Sequence, residues 1–320
     1  MIHIAVFVCA QTVCSSLSQA CEVFALANQL AKQKLFKLER FSLDGAAVQL
    51  PYARIEVDGD LARAASAELI ILPATGSDID TLLSANAALL PWLAARPASQ
   101  QLASLCSSAF LLAAAGVLDG GRATTHWALA SAFRQRFPRV QLDERALISE
   151  YRQRFCSGGA QAGLDLCLHL IDWHAGHWLA QRVAAALVVD RQRGLQTRFQ
   201  PLLPEPRQDD PAINALLLWL QAQHAEALDL NGLATRLHCS SRTLLRRFKA
   251  ATGLTPNDYI KRLRIAAAQT ALRNPQASLE QVALAVGYQD RATFARLFKQ
   301  LCGETPGAFR RRCLAPITAR

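Results

Sequence analysis

The sequence predicts an α/β domain followed by an all-α domain, on three observations. In residues 1–210, short β-branched or apolar runs alternate with helical patterns, as in a parallel sheet with covered faces. Beyond a proline-containing break, only amphipathic helices remain. The charge divides at the same place: of a net +10, residues 211–320 carry 16 Lys/Arg against 6 Asp/Glu, while residues 1–210 carry 19 against 19. A basic surface confined to one segment attracts a polyanion, and the polyanion expected here is nucleic acid.

The elements follow in order. At 320 residues the chain exceeds what one hydrophobic core usually organises, which argues for two domains. The apolar start, Ile2 to Ala10, has no basic region ahead of it and reads as a first strand rather than a secretory leader. Ile4–Val8, Leu38–Leu43, Leu69–Leu72, Leu102–Leu105 and Ala123–Thr125 read as strands, with helices over Cys21–Gln33, Ala109–Ala115, Ala128–Arg136 and Gly163–His174. No apolar run reaches the roughly 18 residues that a membrane span needs, so no membrane partner is expected. Nine cysteines, an odd number without regular spacing, predict reduced thiols in a cytoplasm. No CxxC pair or Cys/His cluster has zinc spacing, and neither a metal nor another cofactor is expected. Pro201, Pro204, Pro206 and Pro211, with Asp209 and Asp210, resist helix and central strand. They mark a stiff linker at 196–210 between domains at 1–195 and 211–320.

In the basic third, Leu230, Leu233, Ala234 and Leu237 mark a short helix, His238–Ser240 breaks it, and Ser240 caps a second helix with inner face Leu244, Leu245 and Phe248. Short helix, tight turn and basic helix make a helix-turn-helix, whose second helix enters the major groove. The pattern repeats 50 residues on: Thr243, Arg246, Phe248, Lys249, Gly253, Thr255, Pro256 and Arg262 recur as Thr293, Arg296, Phe298, Lys299, Gly303, Thr305, Pro306 and Arg312. The second unit leads with Leu279–Val286 and turns at Gly287. Between the units, Pro256–Arg273 reads as one long helix holding two recognition helices at a fixed separation, suited to major grooves roughly 34 Å apart.

Residues 212–312 resemble the DNA-binding domain of the AraC/XylS family, through the two units, the connector GLTPNDYIKRLRIAAAQTAL and the stretch VALAVGYQDRATFARLFKQLCGETPGAFRRR. The resemblance places base-reading positions on Arg242, Leu245 and Arg246 in the first recognition helix, and on Arg291, Ala292, Thr293 and Arg296 in the second. Arg bonds a guanine edge bidentately and Thr contacts a thymine methyl, whereas Leu245 and Ala292 offer apolar contact alone. Ser240, Ser241, Lys249 and Lys299 are placed as phosphate contacts, with Thr243 on the same surface. The alternative is that Arg242, Arg246, Arg247 and Arg296 are a merely solvated face, which the repeat and the charge partition argue against. Phe248 and Phe298 read as core.

In the neutral part, the stretch QLASLCSSAFLLAAAGVLDGG runs a strand into Cys106, then small residues, then a helix. That is the layout of a nucleophile elbow, and the helix N-terminus would favour a thiolate. His126, in ATTHW, is the candidate partner. By its elbow, its GRATTHW segment and CSGGAQAGLDLCLHLI, about residues 1–190 resemble the DJ-1/PfpI, class I glutamine amidotransferase-like superfamily, which implies a flavodoxin-like doubly wound sheet. The whole chain resembles the GlxA-like transcriptional regulators, whose described members respond to nitrogenous metabolites such as arginine, glycine betaine, carnitine or sarcosine. That resemblance implies a small-molecule effector, RNA polymerase as a partner and activation as the commoner mode, with a homodimer left open.

Superfamily enzymes add an acid near the end of the first strand, but residues 10–19 here contain none and Glu22 is the nearest. Three readings of Cys106 stand: a ligand pocket on a degenerate elbow, an active amidase or protease carrying a DNA-binding tail, and a buried small hydrophobe. An α/β domain that only dimerises is a further rival. Ligands of open α/β sheets bind outside the carboxyl ends of the strands. There Ser15, Ser16, Thr75, Gly76, Cys106, Ser107, Thr125, His126 and Trp127 are the candidates, Trp127 reading either as a face for a quaternary ammonium or as packing.

Overall fold

The structure, a computed structural model, describes residues 1–191, 195–199, 201–204 and 210–314. The chain divides into two compact units, Met1–Gln196 and Thr197–Arg320. Of the linker expected at 196–210, residues 200 and 205–209, with Pro206 and Asp209, lie outside the described residues. Gln196 belongs to the first unit.

That unit is built on β1 (Ile2–Phe7), β2 (Phe36–Phe41), β3 (Leu69–Leu72), β4 (Gln101–Leu105), β5 (Ile148–Tyr151) and β6 (Arg154–Ser157). The six form one sheet in the order β2-β1-β3-β4-β6-β5. All neighbouring pairs are parallel except the last, where β5 runs antiparallel against β6 with Arg154 opposite Tyr151. The sheet is therefore mixed, with one antiparallel edge. β3 and β4 are buried along their whole length, which explains the continuous apolar run of β3, while β4 buries Gln101 and Ser104 among its apolar residues.

Alternate residues feed two cores, as the two-residue period of a strand requires. Ile4, Val6, Leu69 and Ile71 face one side, with Phe24 of α1 (Cys14–Ala31), Leu170 of an α-helix at Ala162–Ala175 and Val183 of another at His177–Ala186. Ala5, Phe7, Ile70 and Leu72 face the other, with Phe110 of a short helix at Ala109–Ala114 and with Leu82, Leu93 and Phe133. Helices on both faces make the fold doubly wound, as expected.

Two expectations shift, and one hairpin was not expected. The first helix begins at Cys14, not Cys21: Ser18 Oγ donates locally to the Cys14 carbonyl at 3.0 Å, and Ser16, a weak helix former, is held by a tertiary bond, its Oγ accepting from Ala74 N 58 residues away at 3.0 Å. The strand expected at Ala123–Thr125 shrinks to Arg122–Ala123 and pairs with Gln141–Leu142, outside the main sheet. The β5–β6 hairpin had no turn signal. Its turn residues, Arg152 and Gln153, take positive φ of 45° and 63° without glycine or asparagine.

The second unit is helical: α2 (Pro211–Gln223), α3 (Leu230–Arg236), α4 (Ser241–Thr252), α5 (Pro256–Ala271), α6 (Leu279–Ala285), α7 (Arg291–Cys302) and α8 (Pro306–Leu314). It has two cores. The first joins Ile213, Leu216, Leu217 and Leu220 of α2 to Leu233, Leu244, Phe248, Tyr259 and Leu263. The second joins Ile265, Ala268 and Leu272 to Val282, Phe294, Phe298 and Phe309. The connector α5 serves both, changing allegiance between Leu263 and Ile265.

Candidate functional site

Each unit brings together one candidate constellation. In the helical unit, α3 and α4 are the first helix-turn-helix, and α6 and α7 the second. Ser240 caps α4 by accepting from Thr243 N at 3.2 Å; Asp290 caps α7 by accepting from Ala292 N at 3.0 Å and Thr293 N at 2.8 Å. Both recognition helices end on a left-handed glycine, Gly253 or Gly303.

The inner faces of α4 and α7 bury Leu244 and Phe248, and Phe294 and Phe298, which leaves the outer faces to polar residues. Arg242, Arg246, Lys249, Arg291, Ala292, Thr293, Arg296 and Lys299 are exposed. Among the described residues no ion pair engages any of those six cations. They are therefore available to an outside polyanion. Arg247 differs: it donates to both carboxylate oxygens of Asp210, at 2.8 and 2.6 Å, and so is withdrawn from the solvated face that the sequence allowed it. Asp210 also caps α2, and the Arg247 guanidinium holds its carboxyl below the ordinary carboxylate range.

The remaining first-unit positions are partly engaged. Ser240 and Thr243 share a hydroxyl contact of 2.9 Å, and Ser241 Oγ donates to Asn231 Oδ1 at 2.9 Å. Leu245 lines a groove of about 320 Å³ of mixed character, with Leu230, Leu233, Pro256 and Ile260 beside Asp229, Thr255 and Asn257, which gives it a packing environment as well as an exposed one.

In the α/β unit the elbow is real. Cys106 sits at φ 60° directly after β4 and is 9% exposed, a left-handed conformation that few non-glycine residues adopt. Hydroxyls hold the turn: Leu105 N donates to Ser108 Oγ at 2.9 Å, Ser108 Oγ to the Leu72 carbonyl at 2.6 Å, and Thr125 Oγ1 to the Cys106 carbonyl at 2.9 Å. Thr75 joins through its N–H, 2.9 Å from Ser107 Oγ, and Ser16 through Ala74. Ser16, Thr75, Cys106, Ser107 and Thr125 thus converge at the carboxyl ends of the strands. Ser15 and Gly76 are exposed, Gly76 at φ 75°.

The chemistry is not that of an activated thiolate. Burial pushes the Cys106 thiol above its ordinary value, outweighing hydrogen bonds from Ser107, so the expected thiolate is not favoured. Burial also lowers the pKa of His126, whose Nδ1 accepts from Ala128 N at 3.1 Å. No hydrogen bond joins Cys106 to His126 among the described residues, and Glu22 is exposed. Trp127 lies beside His126, ring centroids 5.0 Å apart.

Gln196 was hidden from sequence reasoning, which assigned it to the linker. It is 2% exposed, and its Nε2 donates to Thr124 Oγ1 at 3.1 Å and to the Thr125 carbonyl at 2.9 Å. Its Oε1 accepts from Gly159 N at 3.2 Å. A Cβ on Gly158 would come within 2.5 Å of the same oxygen. The paired glycines Gly158 and Gly159 were the one visible signal that something passes close there.

Comparison with known proteins agrees with this geometry. A family described as a helix-turn-helix domain matches residues 233–312. The HTH-type transcriptional regulator GbdR of Pseudomonas aeruginosa is 29% identical over 293 residues, covering 91% of this chain and 79% of that protein. The HTH-type transcriptional regulator GlxA of Rhizobium meliloti is 30% identical over 220 residues, covering 66% of this chain and 65% of its own. Among solved structures, a THiJ/PfpI family protein from Pseudomonas syringae aligns with a TM-score of 0.51 and 20% identity, over 69% of this chain and 86% of that one. That last likeness shows the fold.

Proposed function

Because the chain is a GlxA-like fusion of a DJ-1/PfpI-like α/β domain with an AraC-type helix-turn-helix domain, we propose that it is a sequence-specific regulator of transcription controlled by a small molecule. The observation that carries the reading is the doubled recognition helix with six exposed cations that no ion pair engages among the described residues. In this reading Arg242, Arg246, Arg291 and Arg296 meet base edges, Thr293 a thymine methyl, and Lys249 and Lys299 phosphates. The GbdR and GlxA proteins, both named as transcriptional regulators, support it.

The effector site lies among Ser16, Thr75, Ser107, Thr125, His126 and Trp127, and its ligand is a small nitrogenous metabolite. Gln196 supports a route outward, since it is bonded to Thr125 and is the last residue of its unit. An effector can shift an equilibrium only by its differential affinity for two states, and disturbing Thr125 is a way to obtain one. The regulated step is contact with RNA polymerase, activation is the sign, and the cytoplasm is the compartment, in keeping with nine free cysteines. Burial favours the neutral forms of Cys106 and His126, and no hydrogen bond joins the two among the described residues, which favours a ligand pocket over a hydrolase; turnover of an amide substrate abolished by Cys106→Ala would overturn this.

The test is duplex selection from a random library by the full chain, with melting temperature followed across amino acids and betaines. The expected results are one enriched sequence and one metabolite that raises the melting temperature. Enrichment of no sequence would remove the regulator reading, and a temperature moved by none of these compounds would remove the effector class.

A further inference from the structure

Arg264 lies on α5 between Leu263, the last residue that helix gives to the first core, and Ile265, the first it gives to the second. Its guanidinium donates three hydrogen bonds, all to backbone carbonyls: Nε to His224 at 2.7 Å, Nη2 to Glu226 at 2.7 Å and Nη1 to Gly287 at 3.0 Å. His224 is the C-cap of α2 and Glu226 follows it, so those bonds fall at the partially negative end of a helix. Gly287 is the turn of the second helix-turn-helix, at φ 86°. A Cβ there would come within 2.5 Å of the Ala225 carbonyl oxygen, so the end of α2 and that turn are in direct contact.

The chain of contacts runs further in both directions. Beyond Gly287, the Tyr288 ring lies 5.8 Å from that of Phe294 on α7, and the Arg264 guanidinium stands 5.5 Å from the same tyrosine ring. At its other end, α2 begins on Asp210, which is paired with Arg247 of α4. The helix α2 is thus tied at its start to the first recognition helix, and at its end, through Arg264, to the turn that launches the second.

Resting on the proposal that the chain reads DNA, we infer that Arg264 is a positioning residue: with α2 as strut, it fixes the orientation of the two recognition helices relative to each other. A continuous α5 of 16 residues sets a length but not by itself the angle between two cores that meet on it. Three bonds from one planar group, reaching two segments on either side, remove that freedom. Lysine has neither the fork nor the reach for three carbonyls. A fixed geometry is what lets two weak half-site contacts act as one binding event, where linkage raises avidity by about 10²–10⁴-fold.

The experiment uses the full chain, the duplex it enriches from a random library, duplexes in which either half of that site is scrambled, and duplexes with one or two base pairs inserted between the halves. Wild type should bind the intact site best and lose affinity on insertion. Arg264→Ala should bind the intact site about 10-fold or more weakly, hold each single-half duplex within about 2-fold of wild type, and lose most of the insertion penalty. Intact-site and single-half affinities falling together, or an insertion penalty kept in full, would overturn the inference. Should Arg264→Ala not fold, as judged by its melting profile, Arg264→Lys and Gly287→Ala disturb the same joint from its two sides. The same loss of insertion penalty is expected of each, and its full retention in both counts against the joint. A wild-type chain that enriches no duplex overturns the regulator reading, whereas one that enriches a duplex while the variants keep wild-type spacing overturns Arg264 alone.

Discussion

The two helix-turn-helix units differ in what they present and agree in how they are built. At a separation of 50 residues, Gly253 and Gly303 end their helices at φ 74° and 76° with the same ψ of −5°, and Thr255 and Thr305 each accept from a backbone N–H at 3.2 Å to start the next helix. Tyr259 meets Phe248 edge-on at 5.5 Å and 78°, and Phe309 meets Phe298 at 5.5 Å and 76°. The turns and caps diverge. The first unit turns on His238 at φ 49°, the second on Gly287 at φ 86°, where the Ala225 carbonyl leaves no room for a side chain. Serine caps the first recognition helix and aspartate the second. On the reading faces Arg242 stands opposite Ala292, and Ser241 opposite Arg291. The lesson is that the buried faces keep their apolar character, while the outward faces share Arg246/Arg296 and Lys249/Lys299 and differ at the start of the helix, where two helices reading different bases need different side chains.

The largest expected effect breaks the comparison at its core. Phe248→Ala and Phe298→Ala, both fully buried, should each cost about 3–5 kcal/mol. Because the cores are distinct, amide exchange should rise first in α3 and α4 for one variant and in α6 and α7 for the other. Equal loss of protection in both units would mean that they melt as one.

A smaller effect sharpens the caps. Ser240→Ala should destabilise by about 0.5–2 kcal/mol, at a cost that does not change with pH. Asp290 titrates: bonds from the Thr293 side chain and backbone hold its carboxyl below the ordinary carboxylate value. A depressed folded pKa makes its contribution fully present above the unfolded value and lost as pH falls through the folded one. The melting-temperature gap between wild type and Asp290→Ala should therefore narrow on acidification below the usual carboxylate range, while the Ser240→Ala gap stays constant. Two gaps that move together would assign the acid response elsewhere.

How much of this was legible follows from contact range. The helical unit announced itself because caps, turns and apolar faces are local, and because Thr243, Phe248, Gly253 and Pro256 each reappear 50 residues on. The Cys106 elbow was legible too, since only small residues fit beside it. What the sequence hid was long-range or unmarked. Arg247 meets Asp210 across 37 residues and Arg264 meets His224 across 40, pairings that no local pattern encodes. Gln196 reaches Thr125 across 71 residues, from a segment that composition assigned to the linker. Desolvation of Cys106 depends on the finished core around it, so its protonation state had to wait for the fold.

The central claim is that both units read bases, and a base-by-base substitution scan of the selected duplex, repeated with Arg246→Ala and Arg296→Ala, tests it most directly. Each variant should lose about 1–3 kcal/mol of preference at its own position, with the two positions about one helical turn apart on the duplex. Preferences lost at the same position by both variants, or by one variant alone, would contradict it.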